Sequence, residues 1–378
     1  MLDFKVFNFL KNSKLLDVIQ YQGFSHYHLH NYISKNLSQW QRLLGGYSYE
    51  KKEIFIYKLG SSSLKKAIMW SQMHGNEPFS TYALLLVMEF LQAKNSLSRK
   101  ILNSIQFFTI PMLNPDGSEK NKRRNAQEID INRDAIAQRS PEAQILVSLF
   151  KKQKPRYCFN LHDQEIYYAP ANANRPTIMA FLVPAADEKK TLTSSRSEAM
   201  DILGYVVKSF SEYAIAKYND TYMPTAFGDY FSSNGAVSML FETGYKIGDE
   251  SRIFPSLLHA YSIIKALERI ATKEKTTNYS KFYNELKFNE KHAFYDYVFK
   301  NIVVEDKKKK FIVDIAVNRP RLDPEYFVRP HDSYQIYNIG DLSFKKAFVV
   351  KDLKKKLILP KQKIYLYASA DWLLNLII

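Results

Sequence analysis

Three residues of types that bind zinc follow two short apolar segments of the sequence. His74 and Glu77 come after KAIMWSQM, which begins at Lys66, and His162 follows YCFNL, which begins at Tyr157. A catalytic zinc ion takes three protein ligands, often two histidines and one carboxylate, and leaves a fourth position for water. These residues could supply such a set, although a surface ion pair would explain the spacing of His74 and Glu77 taken alone.

The elements that must position these residues alternate between short β-rich segments and longer helical patterns. This alternation predicts an α/β fold with a mixed, largely parallel central sheet flanked by helices. We predict strands in EIFIYKL, KAIMWSQM, IQFFTIP, YCFNL, AFLVPAA and VSMLF. Helices are predicted in PFSTYALLLVMEFLQ, where Pro78 takes a first-turn position, in PEAQILVSLFKK, and over residues 196–217 and 255–271.

Polar groups follow four of these strands at their C-terminal ends, where open α/β sheets bind their ligands. Besides the two histidine-bearing segments, IQFFTIP leads into Asn114 to Gly117, and VSMLF leads into Glu242. We expect one crevice to hold all of these side chains. Gly75, between the first two candidate ligands, is expected to permit unusual backbone angles in a tight connection.

The chain changes character after about residue 272, where a Lys/Asn-rich stretch begins. The segments IVV, FIVDIAV, SYQIYNI, KAFVV, KLILP and KIYLYA follow without long helical patterns. We therefore expect a catalytic domain over residues 1–275 and a small β-rich C-terminal domain over residues 290–378. The lysines from Lys307 to Lys310 are expected in an exposed hairpin connection of the second domain.

Composition excludes several classes of protein. An apolar content of 46% with many aromatic residues indicates a globular chain. The net charge of +16 is spread along the sequence without a basic amphipathic helix, so we expect no nucleic-acid partner. The longest apolar stretch is too short to span a membrane, no secretory signal is recognised, and a cytoplasmic location is expected. The single cysteine, Cys158, is interpreted as a buried, inert thiol.

The motif HYHLH places His26, His28 and His30 at alternate positions, which would bring all three to one side of a strand. Such a row of imidazoles raises the alternative of a second metal site. No carboxylate or cysteine lies beside them in the sequence. We therefore interpret them as ordinary surface or packing histidines.

The motifs SQMHGNEP, LNPDG, RRNAQEIDINRD, NLHDQ and FETG, in this order, resemble the zinc carboxypeptidase family of which carboxypeptidase A is the best-known member. The likeness covers roughly residues 50–270, and five ordered motifs are far more specific than any one of them. It implies one zinc ion per chain, held by His74, Glu77 and His162. This two-histidine, one-glutamate set is the known zinc site of carboxypeptidase A, so the ligand assignment comes from the resemblance.

The resemblance also implies roles for residues around the metal. Glu242 would be the general base and acid, and Asp130 would accept a hydrogen bond from the ring of His74, which fixes its tautomer. Arg123 would stabilise the oxyanion. Arg124 is the competing candidate for that role, and the spacing of the family pattern favours Arg123.

Substrate-binding roles follow from the same resemblance. Asn132 and Arg133 would bind the terminal carboxylate of the substrate, a task that suits the planar fork of arginine. The family places a tyrosine on a loop upstream of the catalytic glutamate. Tyr222 is nearest to the required spacing, with Tyr218 and Tyr230 in the same region, and packing of the Tyr222 ring is an equally good interpretation.

The expected function is that of a zinc metallocarboxypeptidase, which hydrolyses the C-terminal peptide bond of a peptide with a zinc-activated water and Glu242. One alternative is a zinc-dependent deacylase or amidase of small N-acyl amino acids or murein peptides, because MHGNEP also resembles the aspartoacylase and succinylglutamate desuccinylase branch. Another is a catalytically silent binding module on the same scaffold. The expected partner is a peptide or acyl-amino-acid substrate with a free carboxylate.

Overall fold

The computed structural model describes residues 2–19, 25–62, 65–272, 277–291, 293–319 and 334–377. The chain forms two compact units. The first contains Met1–Ile166 and Thr177–Asn289, and the second contains Tyr167–Pro176 and Glu290–Ile378. The second unit therefore also takes a ten-residue segment from within the range expected for the first domain.

The strands, in chain order, are β1 (Gln41–Tyr47), β2 (Glu53–Leu59), β3 (Lys65–Trp70), β4 (Ile105–Ile110), β5 (Tyr157–Asp163), β6 (Ala169–Pro170), β7 (Met179–Leu182), β8 (Ile215–Lys217), β9 (Val237–Thr243), β10 (Asn289–Glu290), β11 (Phe294–Asp306), β12 (Lys309–Asn318), β13 (Gln335–Gly340), β14 (Lys346–Asp352) and β15 (Ile358–Pro360).

The α-helices are α1 (Phe4–Lys11), α2 (Leu15–Ile19), α3 (His26–Asn36), α4 (Pro78–Gln92), α5 (Ser96–Leu102), α6 (Pro115–Glu119), α7 (Pro141–Gln153), α8 (Ser194–Lys208), α9 (Phe227–Ser233), α10 (Ile253–Thr272), α11 (Ser280–Asn284) and α12 (Asp371–Ile377). Single 3₁₀ turns cover Ile131–Arg133 and Lys361–Lys363.

The first unit is built on one eight-stranded sheet with the order β1-β2-β4-β3-β5-β9-β7-β8. Its four central strands, β4, β3, β5 and β9, run parallel, whereas β1, β2 and β7 pair antiparallel with their inner neighbours. The predicted mixed, largely parallel sheet flanked by helices is confirmed. The carboxyl ends of β3, β5 and β9 consequently meet at one edge, where ligands of such sheets bind.

Buried side chains cover both faces of this sheet. Phe159 of β5 packs in the larger apolar cluster, which includes residues of α4, α8 and α10. Cys158, the neighbouring residue, packs on the other face with residues of α7 and α9. Because side chains alternate along a strand, His162 projects from the same face as Cys158. Cys158 is buried, as predicted.

Two predicted segments are wrong in detail. The helix expected over residues 196–217 ends at Lys208, and Ile215–Lys217 forms the edge strand β8. The motif HYHLH lies in a helix, not in a strand. Its apolar residues, Leu29, Tyr32 and Ile33, recur with helical spacing and are buried, and the Ser25 side chain caps the first turn by accepting from the His28 backbone N–H at 3.3 Å.

Gly75 serves a purpose different from the one predicted. Its backbone is not in the left-handed region that favours glycine. Instead, a Cβ atom at Gly75 would lie 2.1 Å from the carbonyl carbon of Gly117 and 2.2 Å from the Ser118 nitrogen. The absence of a side chain therefore lets the connection between β3 and α4 rest directly on the start of α6.

Substitution of Gly75 by alanine is expected to lower the free energy of unfolding by about 3 kcal/mol or more, because backbone atoms on both sides must move. Chemical denaturation measures this change. Gly248→Ala is the control, since its added Cβ meets nothing within 4 Å and only its positive φ of 81° is costly. That control is expected to lose at most about 1–2 kcal/mol. Wild-type stability in Gly75→Ala would contradict the close approach.

The second unit contains a β-sheet with the order β13-β12-β11-β14, and β15 also pairs with β11. The predicted hairpin connection between β11 and β12 is present, but its turn contains only Lys307 and Lys308, because Lys309 and Lys310 already pair in β12. Phe299, Ile315 and Leu373 belong to its buried core. In the described part of both units, no helix combines the length and the apolarity needed to cross a membrane.

Candidate metal centre

The connection between β3 and α4 holds the first two candidate ligands. Pro78 begins α4 at the predicted first-turn position, and Glu77 is the residue that precedes the helix. His162 lies near the end of β5, two strand positions past the level reached by the pairing of β3 with β5. Strand pairing thus places His162 at the edge of the sheet where β3 ends and the connection to α4 begins.

The three side chains converge on the glutamate. The Nδ1 atom of His74 lies 2.7 Å from Oε1 of Glu77, and the Nδ1 atom of His162 lies 2.7 Å from Oε2. All three residues are buried, and one ligand atom from each lies within 4.8 Å of the others. Two imidazole nitrogens and a carboxylate directed at one point form a donor set that fits zinc.

Electrostatics favour the metal-binding protonation states of Glu77 and His162, whereas His74 would have to lose a proton when a metal binds. Burial opposes ionisation of Glu77, but His74 and His162 outweigh it and hold the pKa of this carboxyl well below its usual range. Burial lowers the pKa of His162 despite the nearby carboxylate, so its imidazole is neutral. For His74, the Glu77 and Asp130 carboxylates outweigh burial and raise the pKa. An ionised carboxylate and a neutral imidazole are the forms that a metal requires.

Asp130 lies on the far side of the His74 ring. Its Oδ1 atom is 3.2 Å from Nε2 of His74 and accepts a hydrogen bond from the Asn132 backbone N–H at 2.9 Å. The contact with Nε2 leaves Nδ1 of His74 directed at Glu77. This is the arrangement expected of a residue that orients a metal ligand.

Glu242 stands beside the triad on the next strand. In the parallel pairing of β5 with β9, Glu242 is the direct partner of His162. Glu242 as a whole residue is partly exposed, but the Oε2 atom of its carboxyl is buried and has no hydrogen-bond partner among the described residues. Burial, and then the charges of Glu77 and Asp163, raise the pKa of Glu242 well above its usual value. A carboxyl with a raised pKa beside a candidate metal centre suits proton transfer.

The two neighbouring arginines point in different directions. Arg123 donates from Nε and Nη2 to Oδ2 of Asp130 at 3.2 and 3.0 Å, and its Nη1 lies 3.5 Å from Oε1 of Glu77. Arg124 donates from Nη1 to the backbone carbonyl of Glu128 at 3.0 Å. The guanidinium of Arg123 is therefore the one that lies at the triad.

Asn132 and Arg133 lie on the 3₁₀ turn that follows Asp130. The Oδ1 atom of Asn132 accepts from the Phe227 backbone N–H at 3.1 Å, which joins this turn to the start of α9. Arg133 is exposed, and its Nη1 donates to the Asn132 carbonyl at 2.7 Å. The Arg133 side chain is therefore accessible from solvent.

Tyr222 has no defined contact with the centre. It lies half-buried in the loop between β8 and α9, and it makes no hydrogen bond or ring contact with any residue that the structure describes. Tyr218 instead donates to Oε1 of Gln164, two residues after His162, at 2.7 Å. Tyr230 packs against Phe231.

Asp163 is a residue of this centre that the sequence reasoning missed. Its Oδ2 atom accepts from the Phe79 backbone N–H at 2.7 Å and so caps the first turn of α4, next to Glu77. Burial, and then the charge of Glu77, raise its pKa to about 7. Its position directly after His162 in NLHDQ is a signal that could have identified it.

Gln72 is a second residue near the centre that the sequence alone did not identify. Its Nε2 donates to the Gly75 carbonyl at 2.9 Å and to Oγ of Ser118 at 2.7 Å, while its Oε1 accepts from the Thr81 hydroxyl at 2.9 Å. The side chain thereby fastens the loop of His74 and Glu77 to both neighbouring helices. Gln72 has a φ of 50°, an uncommon conformation for a residue other than glycine.

The chain is similar to a protein family, to individual proteins and to solved structures. The family model described as zinc carboxypeptidase matches residues 29–222, just over half of the chain. Carboxypeptidase 2 of Trichophyton rubrum is 29% identical over 103 residues, which amount to 27% of this chain and 19% of the fungal protein. The aligned part thus spans about a fifth of the length of that relative.

Two solved structures share the fold. A metallo-carboxypeptidase from Burkholderia cenocepacia has a TM-score of 0.53 and 17% identity, over 65% of this chain and 70% of that one. A metallo-carboxypeptidase from Pseudomonas aeruginosa has a TM-score of 0.51 and 16% identity, over 66% and 71%. The matched range of residues 29–222 contains His74, Glu77 and His162, which meet at the candidate centre, and Asp130, which contacts His74. This chain belongs to the zinc carboxypeptidase family.

Proposed function

We propose that this protein is a zinc metallocarboxypeptidase that removes the C-terminal residue of a peptide. The observation that carries the proposal is the position of Glu242, which is paired directly with His162 beside the triad. A metal ion held by His74, Glu77 and His162 would supply Lewis acidity and lower the pKa of a water molecule.

Glu242 would perform the proton transfers. Its carboxylate accepts a proton from the attacking water and returns it to the leaving amine, as general base and then general acid. Arg123 would donate to the oxygen of the scissile carbonyl, where negative charge develops. The distance of 3.5 Å between Nη1 of Arg123 and Oε1 of Glu77 supports this role, because it places a donor next to a candidate metal ligand.

Asn132 and Arg133 would bind the free carboxylate of the substrate. The exposure of Arg133 and the attachment of its turn to α9 support this assignment. The Pseudomonas relative was solved with (2-guanidinoethylmercapto)succinic acid, a ligand that carries two carboxyl groups. Tyr222 is retained as a substrate-binding candidate on spacing alone. The cytoplasmic location stays a prediction.

A panel of peptides with free and amidated C-termini tests the proposal. The wild-type enzyme is expected to prefer the free acid by at least about tenfold in kcat/KM, and Arg133→Gln is expected to lose most of that preference because the carboxylate loses a charged partner. Arg139→Gln is the matched control, since Arg139 is an exposed arginine beyond the same turn.

Each other outcome identifies a different function. Equal cleavage of acid and amide by the wild-type enzyme would contradict the carboxypeptidase assignment and favour the amidase. Hydrolysis of N-acyl amino acids or murein peptides alone would identify the deacylase alternative. A zinc-loaded protein without activity on the whole panel would support the silent binding module.

A further inference from the structure

His26 and His30 lie one turn apart on α3. Because residues four apart share one face of a helix, their imidazoles meet. Their Nε2 atoms are 3.0 Å apart, and the rings form a T-shaped pair with centroids 4.3 Å apart. His28, on the same helix, is exposed and instead contacts the hydroxyl of Ser25 through Nδ1.

Groups on β2 orient both rings. Nδ1 of His30 lies 2.6 Å from the Tyr57 hydroxyl, which leaves Nε2 of His30 directed at His26. Nε2 of His26 lies 2.6 Å from the backbone carbonyl oxygen of Glu53 and donates a hydrogen bond to it, so a metal ion bound at this nitrogen would displace that proton. Two imidazole nitrogens and one carbonyl oxygen therefore converge, and a phenol orients one ring from behind, as partners of metal ligands commonly do.

The spacing suits a shared metal ion. Two nitrogens that are each about 2.1 Å from one ion, at an angle of 90° to 110°, lie about 3.0–3.4 Å apart. The observed separation of 3.0 Å is at the short end of this range. A divalent cation could therefore bridge the two nitrogens. Imidazole is a good ligand for zinc, nickel and copper.

The charge state of His30 favours metal binding, whereas the residues around it lower the affinity for a cation. Burial, and then the charges of His26 and Arg42, lower the pKa of His30 to about 3, so the imidazole stays neutral. The guanidinium of Arg42 lies over the Phe55 ring at 4.7 Å and opposes a cation nearby. Because the donor set contains no carboxylate, binding should be weaker than at the centre that contains Glu77.

We propose that His26, His30 and the carbonyl oxygen of Glu53 form a second binding site for a divalent transition-metal ion. The ion would join α3 to β2, the second strand of the central sheet. The site lies outside the residues assigned to catalysis and does not depend on the proposed function.

Equilibrium dialysis of the full chain against zinc, with the bound zinc per protein measured, tests the proposal. The wild-type protein is expected to bind two ions at saturation. At the zinc concentration that just saturates the wild-type protein, His26→Asn and His30→Asn are each expected to bind one ion, because loss of a ligand should weaken the second site by at least about 100-fold. His28→Asn, the matched control on the same helix, is expected to bind two.

The catalytic centre is tested separately in the same measurement. His162→Asn is expected to keep the second ion, and adding zinc to this variant is expected to raise its Tm. Combining it with His30→Asn should abolish that rise. One zinc ion in the wild-type protein, or two in both His26→Asn and His30→Asn, would overturn the proposal. Two ions in His162→Asn would count against the catalytic centre instead.

Discussion

Replacement of Glu242 by glutamine is expected to lower kcat by about 10²–10⁴-fold, the contribution typical of general acid–base catalysis. The amide has nearly the shape of the carboxylate but cannot accept and return a proton. Glu242 makes none of the contacts that join His74 and His162 to Glu77, so the zinc content is expected to stay at the wild-type level. Steady-state kinetics and metal analysis on the same preparation measure both quantities.

The control for this variant is Glu285→Gln, which changes the same chemical group at an exposed position. It is expected to keep the wild-type kcat. An unchanged kcat in Glu242→Gln would show that Glu242 is not the general base. A loss of zinc together with a loss of activity would instead make Glu242 a metal ligand.

Replacement of His162 by asparagine is expected to abolish activity through loss of the catalytic metal. Even residues that only orient a ligand usually change metal affinity by about 10–100-fold, so loss of a ligand should weaken binding by at least about 100-fold. The change also leaves the buried Glu77 carboxylate without one of its two imidazole partners. Zinc titration of the apo-protein, followed by activity on a peptide with a free C-terminus, measures the effect.

Comparison of the two variants separates metal binding from proton transfer. Glu242→Gln should contain zinc and lack activity, whereas His162→Asn should lack both at low zinc concentrations. Thermal unfolding establishes that each variant is folded. Full activity of His162→Asn at the zinc concentration that saturates the wild-type enzyme would contradict the proposed centre.

Much of the central sheet was predictable because the pattern of a strand is local. The apolar segments around Ala67, Phe107 and Phe159 are buried on both faces of the sheet, so they form continuous apolar runs. Strand β1 was not predicted, because it lacks such an apolar run. It is an edge strand with many exposed residues, and a bulge between Leu44 and Gly46 interrupts its register.

Side-chain direction was less predictable than element type. Arg123 and Arg124 are adjacent in sequence, yet Arg123 contacts Asp130 and Glu77 whereas Arg124 donates to the Glu128 carbonyl. Similarly, the three histidines of HYHLH recur at every second position, which by itself fits the alternating side chains of a strand. The buried Leu29 and Ile33 determine that the segment is a helix, and only the helix brings His26 and His30 together.

The sequence by itself determined the family resemblance, the fold class and the set of residues that could bind zinc, because motif order and apolar periodicity are properties of the chain. Only the tertiary structure decided how His74, Glu77 and His162 meet, since the last is 85 residues from Glu77. It also decided that Gly75 is needed for contact with Gly117, that Asp163 caps the helix beside Glu77, and that His26 faces His30. These relations depend on strand register and helix packing, which bring distant residues together and leave no trace in local sequence.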